Sequence, residues 1–245
     1  MRAGALFDVS GVVIDYSFAD PVDNLCYDDT LLWLAETGKM GGALRFWESQ
    51  VPFIVLGRSG DPIVDLHADA VRASAVRVFR RSSGGGTVVQ GRGCLNYALV
   101  LPKQGTWQDV RASYRDISQW LLAGLAELGI VGTYEPISDL AVAGQKFSGN
   151  AQRRGRHFLL QHGTILYGFD LACISRWLAQ PQAQPPYREN RTHADFVRNV
   201  QVDPAQLKRV LATQFGGPCY QEPLAGSLAA LVQQRGHGRV EELLF

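Results

Sequence analysis

Net charge is nearly absent from this sequence. Across 245 residues, 24 Lys and Arg face 23 Asp and Glu, a formal +1. Such a chain has no global field to draw it to nucleic acid or to an anionic membrane, so neither is expected as a partner. Long apolar runs are missing too. None reaches the roughly 20 residues that cross a bilayer. The first twenty residues carry Asp8, Asp15 and Asp20 where a secretory leader would be apolar, and no signal peptide is expected. Cysteine is sparse: Cys26, Cys94, Cys173 and Cys219 stand far apart, with no CxxC pair. That excludes a zinc framework and a disulfide scaffold, and no metal site is expected. Reduced thiols in a cytoplasm fit this usage. There is no internal repeat and no low-complexity stretch. Apolar mass is what the chain has. Hydrophobic residues make up 46% against 19% charged, which excludes a mostly disordered chain.

Hydrophobic spacing predicts a helix over residues 21–38, ended by Gly38, then two short strands within 43–57 around a turn at Ser49–Pro52. A short helix is expected at 64–74, a strand at 76–81, another at 87–89 and a third at 94–101. Residues 106–128 form the clearest amphipathic helix, stopped by Gly129. Strands are expected around 140–142, 146–148 and 158–165, then a helix at 171–178. Pro181, Pro185 and Pro186 mark a loop. Helices at 204–214 and 224–234 follow, and the tail 240–245 either packs back or frays. Strand runs interrupted by helices indicate an α+β fold rather than regular βαβ alternation. One domain over residues 1–245 is expected, with 181–245 as a helical C-terminal extension.

Two segments carry chemistry. The first is RRSSGGGTVVQGRGCLN, residues 80–96. Three glycines between strands weaken a sheet by about 0.5–1 kcal/mol each relative to Ala. They suit a sharp turn that lets a ligand approach, with backbone N–H groups facing anionic oxygens. Arg80 and Arg81 could add forked donors. No GK[ST] and no GxGxxG is present, so this is neither a P-loop nor a dinucleotide fingerprint. A glycine-rich hairpin that binds nothing fits the spacing as well. The second segment is QKFSGNAQRRGRHFLLQHGTIL, residues 145–166. Lysine occurs only at 39, 103, 146 and 208, so Lys146 is an uncommon point charge at a strand end. Its ammonium can meet a carboxylate and a phosphate together, and a plain surface lysine remains the other reading.

Taken together, RRSSGGGTV at 80–88, KFSGNAQR at 146–153 and HGTIL at 162–166 resemble the lipoate–protein ligase family, within the biotin/lipoate ligase and octanoyltransferase superfamily. Asn24-Leu25 with Asp28-Asp29, Trp47 to Gly57-Arg58, and Ser138-Asp139-Leu140 are weaker echoes. The resemblance covers roughly residues 20–180. It departs at Gln90-Gly91-Arg92-Gly93-Cys94, where the family usually reads His-Asp and then Gly-Asn.

The resemblance implies an α+β fold with a mixed, largely antiparallel sheet flanked by helices, like the class II aminoacyl-tRNA synthetase core. It implies a ligase that activates lipoate or octanoate with ATP and Mg²⁺ and transfers the acyl group to a lysine of a lipoyl domain. Acceptors would be the E2 subunits of 2-oxoacid dehydrogenases or the glycine-cleavage H protein. The chain leaves no room for a full accessory domain, so a separate accessory protein is a further possible partner. Lys146 is the expected catalytic residue, bridging acyl carbonyl and α-phosphate. Arg80, Arg81, Ser83, Gly84, Gly85, Gly86, Thr87, Val88 and Val89 would hold the phosphates and adenosine. Asp139, Ser148, Gly149, His162 and Gly163 would complete the site, the last two shaping an acyl tunnel.

The alternative within the superfamily is an octanoyltransferase. It takes its acyl group from acyl carrier protein without ATP, through a Cys thioester, with Cys94 or Cys173 as the candidate nucleophile. A biotin ligase fits less well, because its GRGR-type loop and KxGG segment differ from RRSSGGG and KFSGN. A non-catalytic binding subunit on the same fold is the rival from another class. His162 alone fits a structural histidine better than a base, and the 153–156 arginine run fits a solvated turn or a docking patch.

Overall fold

The computed structural model describes residues 11–221 and 240–245. The helix expected at 224–234 lies outside these residues. The fold class matches expectation: α+β, with a mixed, mostly antiparallel sheet flanked by helices.

Twelve strands are described: β1 (Gly11–Asp15), β2 (Gly42–Trp47), β3 (Phe53–Leu56), β4 (Arg77–Arg80), β5 (Val88–Gln90), β6 (Cys94–Pro102), β7 (Thr133–Glu135), β8 (Asp139–Val142), β9 (Gln145–Arg154), β10 (Phe158–Leu166), β11 (Cys219–Tyr220) and β12 (Glu241–Leu243). Seven helices accompany them: α1 (Pro21–Glu36), α2 (Pro62–Asp65), α3 (Ala68–Ser74), α4 (Val110–Glu127), α5 (Ala172–Trp177), α6 (His193–Phe196) and α7 (Pro204–Phe215). The large sheet has eight strands in the order β11-β1-β2-β6-β10-β9-β8-β7. Its first two pairings, β11–β1 and β1–β2, are parallel, and the other five are antiparallel. The small sheet runs β12-β4-β3-β5.

Three apolar cores follow from this layering. On one face of the large sheet, α4 and α7 bury Leu121, Leu125, Leu207 and Leu211 against Leu44, Leu99 and Phe147. Asp109 caps α4 by accepting from the Ala112 amide, and Asp203 caps α7 from Ala205. On the other face, α1 and the small sheet meet the large sheet through Tyr27, Leu31, Phe53, Phe79, Ala98 and Leu160. The outer face of the small sheet packs on α3 and α5 through Val71, Ile174 and Trp177. Helix α1 lies between layers and is apolar on several sides, so it lacks the single stripe of a surface helix. Its buried polar residues are matched from β2: Arg45 donates to Asp28 at 2.6 Å and to the Asn24 side chain at 2.7 Å.

Several local expectations are corrected. The helix at 64–74 is two helices, α2 and α3, with Leu66 extended between them. The amphipathic helix starts at Val110, after a 3₁₀ turn at Gly105–Gln108. Strand β9 continues through Gly149 and Asn150 to Arg154, so the 146–154 stretch is not a strand followed by a turn. The C-terminal region is not helical alone. β11 extends the large sheet, and β12 packs back along β4 as a strand. No described helix is long and apolar enough to cross a membrane.

Candidate functional site

The glycine segment connects β4 to β5 and is pinned at several points. The Arg81 amide donates to the Leu56 carbonyl, and the Arg58 amide donates to the Ser83 carbonyl. Thr87 Oγ1 donates to Asp65 Oδ2 at 2.6 Å. Gly57 lies so close under the loop that a Cβ there would stand 2.0 Å from the Gly85 carbonyl oxygen. The expected outward fork of Arg81 is turned inward. It donates to the carbonyls of Val55, Gly84 and Gly86 and to Ser83 Oγ. Burial draws its pKa down to about 10, which leaves it a cation at neutral pH. Arg80 is likewise engaged, with the Gly60 carbonyl at 2.6 Å and Glu241 at 3.3 Å. The consequence is specific. Arg81 takes the loop's carbonyls, while no amide of Gly84–Gly86 donates to another protein group among the described residues. The loop therefore presents N–H groups, the polarity that holds anions.

Beneath the loop runs β9. Successive side chains alternate faces, so Gly149 and Ala151 share one face, about 7 Å apart. A Cβ on Gly85 would lie 3.6 Å from the Ala151 Cβ, and one on Gly149 would lie 2.9 Å from Lys146 Nζ. Glycine at 149 thus leaves room for the Lys146 chain to lie along the strand. The ammonium and the glycine loop occupy neighbouring positions on one face. His162 belongs to the same face: it is the register partner of Ala151 and of Ala98.

His162 Nε2 is 2.6 Å from Ser83 Oγ. That oxygen also accepts from Arg81 Nε at 3.0 Å, so Ser83 is held from two sides, and the direction of its bond to His162 follows the imidazole tautomer. Burial, then the nearby Arg81 charge, pushes the His162 pKa down to about 3. The ring is neutral at neutral pH and holds Ser83 through this hydrogen bond.

Asp139 begins β8 and pairs with Lys146 Nζ at 2.8 Å. Its other oxygen accepts the Tyr187 hydroxyl at 2.8 Å. Tyr187 comes from the 3₁₀ turn Pro186–Arg188, beyond the proline loop. The residues that follow are tied to the same strand end: Arg191 donates to the Gly144 carbonyl, and the Arg198 amide to the Lys146 carbonyl. Arg188 is buried, donating to Gln180 and the Arg191 carbonyl. Sequence reasoning missed Tyr187, since a single tyrosine after prolines carries no periodic signal.

The remaining candidates fall elsewhere. Ser148 is buried on the opposite face of β9, its Oγ 3.4 Å from Asn150. Gly163 opens onto that opposite face as well, against Asn150 and away from the face of His162. Val88 packs on the core below α1, and Val89 is buried in the outer core of the small sheet. Cys94 is buried in that outer core, where desolvation raises its pKa to about 12. Cys173 is buried too; desolvation and a contact to Asp170 raise its pKa. Of the arginine run, Arg153 pairs with Asp29 at 2.9 Å, and Arg154 donates to Gln152 and Ser113. A groove of about 1320 Å³ beside the loop is lined by Ser83, Gly84, Arg58, Arg77, Arg80 and Arg153, among others. Among the described residues no three His, Cys, Asp or Glu side chains converge as metal ligands.

The family profile for the lipoyl protein ligase A/B catalytic domain matches residues 20–216. A probable lipoate-protein ligase A of Mycoplasma pneumoniae is 27% identical over 158 residues, covering 64% of this chain and 46% of that protein. An octanoyltransferase LipM of Symbiobacterium thermophilum is 29% identical over 188 residues, 68% of each. The chain thus spans about half the length of the first relative. The crystal structure of a lipoate-protein ligase A bound with ATP shares the fold, with a TM-score of 0.79, 17% identity, and 93% and 94% of the two chains covered. With four-fifths of its length inside the family profile, the chain belongs to the lipoyl protein ligase A/B catalytic domain family.

Proposed function

We propose that this chain is a lipoate–protein ligase that joins lipoate to ATP as an acyl-adenylate and passes the acyl group to a lysine of a lipoyl domain. The observation that carries the reading is the Lys146 ammonium lying over Gly149, one strand repeat from a loop whose glycine amides have no protein partner among the described residues. A free carboxylate does not acylate an amine in water, so it needs activation. A carboxylate oxygen attacks the α-phosphorus, the bond to the bridging oxygen breaks, and pyrophosphate leaves. The acceptor amine then attacks the acyl carbonyl and AMP leaves. Negative charge grows on phosphoryl oxygens in the first step and on the carbonyl oxygen in the second. Lys146 and the Gly84–Gly86 amides are fixed donors for that charge, each worth roughly 2.7–4 kcal/mol of barrier. Ser83, aimed by His162 and Arg81, adds a hydroxyl at the edge of the loop. Mg²⁺ would arrive on the triphosphate and offset its charge there.

The state of the cysteines favours adenylation over transfer from acyl carrier protein. A thioester route needs a thiolate. Burial raises the pKa of Cys26 and Cys94 to about 12. Cys219 lies on β11, five strands from β9, or about 24 Å at ordinary strand spacing.

The test is acceptor mass. Purified protein is incubated with a lipoyl domain in two arms, one with lipoate, ATP and Mg²⁺, the other with octanoyl-acyl carrier protein and no nucleotide. A lipoyl increment in the first arm only, lost in Lys146→Ala and kept in Cys94→Ser and Cys173→Ser, is the expected result. An octanoyl increment in the second arm, lost in one Cys variant, would sink the ligase reading.

A further inference from the structure

The face of β9 turned away from the glycine loop carries a buried amide that the chemistry above leaves unused. Asn150 lies on β9, opposite Gly163 of β10 and within reach of Tyr97 on β6. Its Nδ2 donates to the Ser138 carbonyl at 2.6 Å, and its Oδ1 accepts the Tyr97 hydroxyl at 2.6 Å. A carbonyl only accepts, so the group facing Ser138 must be the amide nitrogen, and the side chain has one orientation. Gly163 makes space for it: a Cβ there would stand 1.9 Å from Asn150 Oδ1.

Ser138 is the residue before Asp139. The carbonyl that Asn150 holds therefore belongs to the peptide from which the Asp139 carboxylate reaches Lys146 Nζ at 2.8 Å. The β8–β9 ladder is irregular just beyond this point, with a register shift between Leu140 and Ala141. A bulge loosens backbone control where side-chain aim matters most. A side-chain clamp on the opposite face restores it.

We infer that Asn150 is a positioning residue for Lys146: by donating to the Ser138 carbonyl, it fixes the turn whose Asp139 holds the ammonium over Gly149. The inference rests on the reading of Lys146 as the adenylation lysine. Asn150 touches neither substrate nor the reacting atoms. It acts through Asp139.

Two substitutions separate positioning from packing. Asn150→Asp keeps the size and still accepts from Tyr97, but it cannot donate to Ser138. Tyr97→Phe removes a hydrogen bond from the same amide yet leaves the Ser138 contact. The first readout needs no activity. The full chain is acetylated with limiting acetic anhydride, and each of its four lysines is followed by peptide mass. In Asn150→Asp, Lys146 labelling rises about threefold relative to Lys39 and Lys208 as its carboxylate partner is released. The second readout is lipoate-dependent adenylation, where kcat falls about tenfold while KM for lipoate stays within about twofold. Tyr97→Phe leaves both readouts within about twofold of wild type although it melts earlier. Asn150→Ala carries the same test if the aspartate variant does not fold.

Unchanged Lys146 labelling in the Asn150 variants overturns the inference. So does a common loss in the Asn150 variants and Tyr97→Phe that follows melting temperature. A wild type that shows the labelling contrast but never adenylates lipoate overturns the ligase reading instead and leaves the clamp standing.

Discussion

Two ion pairs of nearly equal length sit in different surroundings in this molecule. Arg45 meets Asp28 at 2.6 Å with side-chain exposures of 0% and 2%. Lys146 meets Asp139 at 2.8 Å with exposures of 28% and 10%. The Arg45 guanidinium also donates to the Asn24 and Tyr16 carbonyls and lies 4.6 Å from the centre of the Tyr27 ring. That cation is enclosed on every side. The Lys146 ammonium has three donors and one carboxylate, with a glycine on its open flank. Pair distance does not separate a structural pair from a functional one. Arg45 Nε is itself a buried donor without a partner, so what sets Lys146 apart, on the reading proposed above, is the open space beside its ammonium.

Breaking the enclosed pair gives the largest expected change. Asp28→Ala strands the Arg45 charge where water cannot reach it. Removing one partner of a buried pair costs about 3–5 kcal/mol, so the variant should lose that much in urea unfolding. A loss below about 1 kcal/mol would show that the pair is less closed than its geometry indicates.

Lys146→Met reverses the pattern. The lysine side of the pair is open and Tyr187 still donates to Asp139, so stability should change by less than in Asp28→Ala, about 1–3 kcal/mol. Adenylation should fall about 10²–10³-fold, the usual cost of one preorganised donor. Pyrophosphate exchange beside a thermal melt measures both effects on one preparation. Activity within tenfold of wild type would make Lys146 as structural as Arg45.

His162 sharpens the contrast in another way, because it is enclosed by neutrality rather than by pairing. Its folded pKa of about 3 lies below the ordinary 6.5. Between those values the unfolded chain binds a proton that the folded chain refuses, so stability rises with pH there and is lost as pH falls. Above 6.5 the group contributes nothing to the pH dependence. At about 1.36 kcal/mol per pH unit, the loss by pH 5 is about 2 kcal/mol. Urea midpoints at pH 7 and pH 5 should therefore diverge less in His162→Asn than in wild type. Equal divergence would mean that the ring already carries its proton in the folded state.

These contrasts also explain what the sequence could and could not disclose. β6 and β10 were legible because CLNYALVL and FLLQHGTIL are strongly apolar at both ends. Lys146 and the glycine triplet stood out because scarce lysine and clustered glycine are conspicuous in any segment, and the structure brings the two close together. The strand expected at 146–148 stops short of Gly149 and Asn150 because both residues disfavour strands. Two neighbouring strands, β8 and β10, override that preference. Arg81 read as an outward donor because composition does not say which oxygens its fork will meet. The Asp28–Arg45 and Tyr187–Asp139 contacts join residues 17 and 48 apart, which no local pattern encodes. Strand β1 was missed since five residues, GVVID, carry too little pattern of their own and pair only through the sheet.

The C-terminal strand supplies the third member of the series, a pair more open than either. Arg77 donates to Glu242 at 2.7 and 3.0 Å and to Asp20 at 2.8 Å, with about two-fifths of each Arg77 and Glu242 side chain exposed. Arg77 holds the Glu242 carboxyl below its usual range, so this contribution exists above that range and is lost as pH falls through it. Water and salt screen an exposed pair, and its ordinary worth is about 0–1 kcal/mol even with bidentate geometry. Glu242→Gln should therefore cost less than about 1 kcal/mol, and about 1 M salt should erase the difference. The apolar anchor of the same segment is Val240, buried beside α1, while Leu243 packs against the outer core. If Glu242→Gln costs as much as Asp28→Ala, β12 is held by charge rather than by its ladder and anchor. Exposure would then no longer rank these pairs, and the inference from the openness of Lys146 to its role would lose its footing.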